Sequence, residues 1–215
     1  MTSCHDHLHP VDMNRVSAVS ILSGEHRVIL QVVTCLERMA SQTLRERAVP
    51  TTYARQALEV IRTFADRCHH GKEEDILFPA LEAQVPGFGP TAVMREEHVI
   101  GRGFVAGMDA AITAGDAASY ATNATGYVEL LRAHIAKEDD ILFRIAQTML
   151  NPEQDAAIVE AYRVVEHDDM GDGTHERLLA IADVLADAYG VERASSDPQT
   201  FALLTAVCGC HTNKT

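Results

Sequence analysis

Tryptophan is absent from the 215 residues, and aromatic side chains make up only 5% of the chain. A core with so few large rings must be filled by Leu, Ile, Val, Ala and Met, which suits packing between helices. There is no run of Lys or Arg, and the formal net charge is −13. That combination argues against nucleic-acid binding and against attraction to an anionic membrane surface. No apolar stretch approaches the roughly 20 residues that a membrane helix needs. The N-terminus lacks the basic region and apolar run of a secretory signal. The five cysteines (Cys4, Cys35, Cys68, Cys208 and Cys210) are odd in number and scattered. They do not form a disulfide framework, and a reducing cytoplasm is the simplest setting. Strand signals are equally scarce, with no sustained alternation and no Asn-Gly or Asp-Gly hairpin between β-branched runs.

Helical periodicity, by contrast, runs through most of the chain. Val16, Val19, Leu22, His26, Ile29, Leu30, Val33 and Leu36 recur at spacings of three and four, predicting a helix over Met13–Gln42. A second helix starts at a Thr51 or Thr52 cap, should bend at Pro79, and ends at the Pro86–Pro90 loop. A third runs from about Thr91 to Thr113, with Gly101, Gly103 and Gly107 read as places of close backbone approach. A fourth runs from about Ala117 to Met149. Asn151-Pro152 caps a fifth, through about Glu166, and a sixth follows the Gly171–Thr174 break and closes at Gly190. The chain is therefore expected to be all-α, an antiparallel four-helix bundle over 14–150 with a C-terminal two-helix extension over 151–190 packed on it. Segments 1–13 and 191–215 are left as terminal arms.

The most specific feature is a near-repeat. His69-His70-Gly71-Lys72-Glu73-Glu74-Asp75-Ile76-Leu77-Phe78 returns 65 residues later as His134-Ile135-Ala136-Lys137-Glu138-Asp139-Asp140-Ile141-Leu142-Phe143. Each copy sets a His and a Glu four residues apart, on one helix face. Glu25-His26 on the first helix is matched by Glu97-His98 on the third. Six such groups on apolar stripes need a compensating partner, because buried charges and imidazoles are costly alone. Two cations supply it. With both carboxylates bridging and an oxide or hydroxide between the metals, about ten of roughly twelve coordination positions are filled, leaving about two for a small ligand.

These motifs resemble the hemerythrin-like (HHE cation-binding) proteins, a family with a four-helix bundle around a non-haem di-iron centre. The resemblance covers about residues 14–150 and rests on Glu25-His26, on His69 through Pro79, on Glu96-Glu97-His98 and on His134 through Glu138. It implies iron ligation by His26, His69, Glu73, His98, His134 and Glu138, with two non-haem irons and a bridging oxide or hydroxide. Residues 165–176 also look like the two-helix extension of some bacterial members. The oxygen-carrying members have a second His one turn after the third-helix ligand, where this chain has Arg102. They also space the last carboxylate differently. The pattern is closer to six-ligand members linked to nitric oxide, peroxide or iron–sulfur cluster repair, although repair proteins often carry an N-terminal cysteine-pair domain and the arm here holds only Cys4. Ferritin-like proteins use Glu-x-x-His, with the carboxylate first and a spacing of three, and do not match.

Other residues carry weaker signals. His70 is expected on the surface or behind the ligands, because one step along a helix turns it about 100° from His69. Glu25, Glu74, Glu97 and Asp139 flank ligands. Glu97 is the best candidate for a catalytic role, orienting an imidazole through its other nitrogen or relaying protons. His167 and His175 are candidates for a further nitrogen ligand, though cap or packing roles are the ordinary alternative. Tyr53, Tyr120, Tyr127 and Tyr162 read as core, as does Cys68. The terminal clusters Cys4–His9 and Cys208–His211 could hold zinc or copper but have no known module spacing. The expected function is that of a di-iron protein acting on a small oxidant (nitric oxide, peroxide or oxygen) with an unidentified electron donor. A non-enzymatic oxygen or iron binder or sensor, and an iron-delivery module, are the rivals.

Overall fold

The computed structural model describes residues 16–167, 171 and 173–207. The described residues are all-α, with no strand among them. The helices are α1 (Ala18–Glu46), α2 (Thr51–Val60, continuing through Ile61–His70 and Glu73–Leu77 to Phe78–Gln84), α3 (Gly89–Ala114) and α4 (Ala117–Lys137, continuing through Glu138–Leu142 to Phe143–Met149). They are followed by α5 (Pro152–Val165), α6 (Thr174–Tyr189) and α7 (Pro198–Val207).

Local chemistry explains most of these boundaries. Ser17 and Ser20 cap each other's backbone N–H at the start of α1, and the Asp155 carboxylate accepts from the N–H of Ala18. Residues 13–15 of the expected first helix lie outside the described residues. At α2 the expected threonine cap is not used. Pro50 precedes the helix and no side chain caps it. Asn151 and Gln154 form a reciprocal cap on α5 with Pro152 in its first turn, as the sequence indicates. Gly190 ends α6 at φ 63°, a left-handed conformation that glycine adopts without strain.

Both copies of the repeat widen into π-type turns, in which Phe78 N–H bonds to Glu73 O and Phe143 N–H to Glu138 O. Proline is not the common cause, since Arg144 occupies the position equivalent to Pro79. Such single wide turns are frequent at functional sites.

Helix α1 packs against α2 and α4, and α3 packs against the same two. One apolar cluster takes residues from α1 beyond Val28, α2 up to Cys68, α3 from Val105 and α4 up to Ile135. A second takes Ala18–Leu22, Leu77–Leu81, Met94 and Leu142–Ala146, and adds Ile158, Val159 and Tyr162 of α5. The layer between the two clusters is where the sequence puts its His and Glu residues.

Helix α6 lies on α1 and α2, and α7 lies on α1. Segment 198–207, expected as part of an arm, is thus a helix docked on the fold. Its short apolar run has little periodicity (Phe201–Val207), so the sequence gives it a weak helical signal. Leu203 Cβ would stand 3.0 Å from a Cβ at position 24, so a side chain there would crowd α7. Among the α3 glycines expected to mark close approach, Gly107 does so. An added Cβ would meet Asn123 Oδ1 at 2.2 Å. Gly101 has only ordinary contacts and Gly103 faces open space.

By length and apolarity α1 is the one described helix that could cross a membrane, and 72% of its apolar window is buried within the fold. It also carries the buried polar groups Glu25, His26 and Gln31.

Candidate metal centre

His26, His69, Glu73, His98, His134 and Glu138 are all buried and converge in the layer between the two apolar clusters. The imidazoles form two matched pairs. The His26 and His69 rings are 4.7 Å apart at 60°, and the His98 and His134 rings are 4.7 Å apart at 64°. The carboxylates lie between the pairs. Glu73 Oε1 is 3.6 Å from His69 Nε2, and its Oε2 is 3.4 Å from His98 Nε2. Glu138 Oε2 is 3.3 Å from His26 Nε2 and 3.2 Å from His134 Nε2. Each carboxylate therefore reaches both pairs, as a bridging ligand must.

The residues fit a metal on direct grounds. All four carboxylate oxygens of Glu73 and Glu138, together with His26 Nε2, are buried with no hydrogen-bond partner. Leaving a buried polar atom unpaired costs about 1–3 kcal/mol, more for a charged one, so five in one spot call for cations.

Every one of the four imidazoles is also fixed from behind. Nδ1 of His26 donates to Asp139 at 3.0 Å, that of His69 to Glu25 at 2.8 Å, that of His98 to Glu74 at 2.6 Å, and that of His134 to Glu97 at 2.9 Å. A carboxylate can only accept, so each contact puts the proton on Nδ1 and leaves the Nε2 lone pair facing inward. The four acids follow the internal repeat: Glu74 and Asp139 each follow a Glu ligand, and Glu25 and Glu97 each precede a His ligand.

Lysines of the repeat complete the pattern. Lys72 pairs with Glu25, and Lys137 pairs with Glu97. The two differ in setting. Lys72 is fully buried, is also bound by Glu166 at the end of α5, and lies 5.7 Å from the Tyr162 ring centroid. Lys137 is 37% exposed. Helix α5 thus closes over one half of the site only.

Electrostatics follow the geometry. Burial alone would lower the His26 pKa, but the hydrogen bond with Asp139 and the negative charge of nearby Glu138 outweigh it and raise the pKa to about 10. Burial would raise Glu25, yet Lys72 and His69 hold it down at about 2. Glu97 is likewise held ionised against its burial by Lys137 and His134. In the metal-free chain, protons held on His26 and His134 by the nearby carboxylates offset part of the charge that cations would otherwise balance.

Of the two places expected for His70, on the surface or behind the ligands, the structure shows the buried one: its ring stacks on His98 at 3.7 Å and 15°. It lies at the end of the wide-turned stretch Ile61–His70, and its neighbour across the stack is itself a candidate ligand. The doubled histidine was visible in the sequence, but helical geometry alone did not choose between the surface and a place behind the ligands. Asp66, four residues earlier, was the overlooked signal, since its carboxylate lies 3.4 Å from His70 Nδ1.

Arg102 holds two of these acids together. Its Nε donates to Asp66 at 2.8 Å and a terminal nitrogen donates to Glu74 at 2.9 Å. A cavity of about 300 Å³ opens on this side, reaching His70, His98 and His134 past Val105, Leu131 and Tyr127, with Arg62, Asp66 and Arg102 among its other lining residues.

The remaining candidates sort readily. His175 is buried against Phe64, with ring centroids 5.3 Å apart, and is not among the clustered metal-binding groups; His167 is exposed. Tyr120, Tyr127 and Tyr162 are buried, whereas Tyr53 is 38% exposed and meets Tyr189 edge-on. Cys68 is buried and its thiol is pushed up to about 12 by that burial. The terminal clusters Cys4–His9 and Cys208–His211 lie outside the described residues.

Comparison with known proteins points to cation binding as well. Residues 17–146 match the hemerythrin HHE cation-binding domain model. The chain belongs to that family of cation-binding proteins. Uncharacterized proteins of Mycobacterium bovis and Mycobacterium tuberculosis are similar to it, each 24% identical over 178 residues, which cover 80% of this chain and 69% of theirs. No solved structure matches.

Proposed function

We propose that the chain is a non-haem di-iron protein that binds or reduces a small oxidant, nitric oxide, peroxide or oxygen. The observation that carries this reading is the pair of matched imidazole sets with unpartnered buried carboxylates between them, set beside a largely apolar cavity. His26 and His69 would hold one iron, His98 and His134 the other, and Glu73 and Glu138 would bridge them with an oxide or hydroxide. Two bound irons would supply electrons and open coordination positions for the oxidant.

The chain's own residues do the rest. Asp139, Glu25, Glu74 and Glu97 keep Nε2 of each imidazole directed inward, so the site needs little rearrangement to accept its ions. Of these four, Glu97 also lines the cavity, which makes it the acid best placed to pass a proton between solvent and the site. Apolar walls limit water around the reacting ligand.

An antiparallel four-helix bundle over 14–150, with 151–190 as an extension closing over Glu25 and Lys72, belongs to the same reading. Its basis is the ring of contacts among α1–α4 and the way the two apolar clusters share them. So do a cytoplasmic setting and an electron donor from outside the chain.

Mixing the reduced, iron-loaded protein with oxygen, nitric oxide and peroxide, with and without excess chemical reductant, while following absorption tests the function. Repeated turnover of peroxide or nitric oxide is the expected result. A stable, reversible oxygen adduct without turnover would favour an oxygen binder instead.

A further inference from the structure

We propose that His70 is a seventh protein ligand, binding through Nε2 the metal held by His98 and His134 and making the two metal positions inequivalent. The inference rests on the metal-centre reading above and extends it.

Three observations carry it. A ring nitrogen of His70 lies within 4.8 Å of the ligand atoms of Glu73, His98 and His134, which also lie within that distance of one another. His70 has the same bonding pattern as the four expected imidazole ligands: Nδ1 faces a carboxylate, here Asp66 at 3.4 Å, and Nε2 remains for a metal. Finally, its ring is buried and stacked on His98, which fixes its plane beside a ligand rather than in solvent.

The internal repeat shows why this matters. The residue equivalent to His70 in the second copy is Ile135, which has no donor atom. The pseudo-symmetric centre therefore gains a third imidazole on one side only, the side that the cavity reaches. Arg102 stands where the oxygen-carrying members have a further histidine, and a guanidinium offers no lone pair to a metal. It grips Asp66 and Glu74, the acids behind His70 and His98. With His70 bound, roughly one coordination position instead of two stays open on the pair. An incoming ligand then has a single defined place to bind.

The test uses iron-loaded wild type, His70→Ala, His70→Phe and, as a reference for the main centre, His69→Ala. The phenylalanine variant keeps a stacked ring but has no donor nitrogen. Thermal melts of the metal-free proteins establish that each variant folds. Metal content, stepwise removal by a chelator and the Mössbauer spectrum are then read, with and without added imidazole.

The expected result is two irons in wild type with two distinct quadrupole doublets. Both His70 variants should hold one iron about tenfold or more weaker, at least the loss that an outer carboxylate causes. Free imidazole should restore the affinity and spectrum of His70→Ala. Unchanged affinities and an unchanged spectrum in both His70 variants, while His69→Ala loses metal, would overturn the proposal and leave the main centre standing. Fewer than two irons in wild type would overturn the main centre itself.

Discussion

Replacing Glu25 and Glu97 separately by Ala should weaken metal binding alike but damage the fold very differently. Each acid fixes one imidazole and one lysine: Glu25 serves His69 and Lys72, and Glu97 serves His134 and Lys137. Loss of a carboxylate behind a ligating imidazole costs about 10–100-fold in metal affinity, and both variants should fall in that range. Stability separates them, because Lys72 is fully buried whereas Lys137 is 37% exposed. Removing one partner from a buried pair costs about 3–5 kcal/mol. Since Glu166 still faces Lys72, about 3 kcal/mol is the better figure for Glu25→Ala. For Glu97→Ala the loss is at most about 1 kcal/mol. At roughly 2–4 °C per kcal/mol for a chain of this size, the metal-free melting midpoint should drop about 6–12 °C in the first and less than about 4 °C in the second. Metal titration and thermal melts of the metal-free variants check both halves. Equal melting midpoints would refute the buried-lysine argument, and unchanged metal affinities would refute the orienting role of the acids.

Three further outcomes follow from the same geometry. In the metal-free protein His26 is raised from 6.5 to about 10, so its stabilising effect is complete below pH 6.5 and is lost as pH rises through 10. Metal must displace that proton, so affinity should strengthen over the same window by up to about tenfold per pH unit. Melting midpoints of the metal-free protein that climb with pH there would contradict this. Gly126→Ala should destabilise by about 1–3 kcal/mol, because the new Cβ would meet the Phe104 ring at 2.5 Å. Gly103→Ala, with nothing within 4 Å, should instead stabilise α3 by about 0.5–1 kcal/mol, and denaturant melts compare the two. Cys68, with its thiol at about 12, should resist alkylation at neutral pH in the folded chain, and rapid labelling would show that its burial is wrong.

The six converging side chains were legible in the sequence because a constant offset of 65 residues and a four-residue spacing both survive translation into helices. The four acids behind them were visible as neighbours of ligands, but their individual pairings were not. Glu25 serves His69 on another helix rather than the adjacent His26, and such pairings arise only when helices pack. His70 was left between the surface and the interior for a related reason. Regular helical rotation turns it from His69, whereas a wide-turned stretch and a stack on His98 hold it inside. Helix α7 was the hardest to see, because its docking is recorded mainly in Gly24, 174 residues before its first residue.

Anomalous diffraction at the iron edge from iron-loaded crystals is the most direct test of the centre. Two peaks roughly 3.5–4 Å apart are expected, one beside His26 and His69 and the other beside His98 and His134, with Glu73 and Glu138 between them. A single peak, or iron bound away from these six residues, would contradict it.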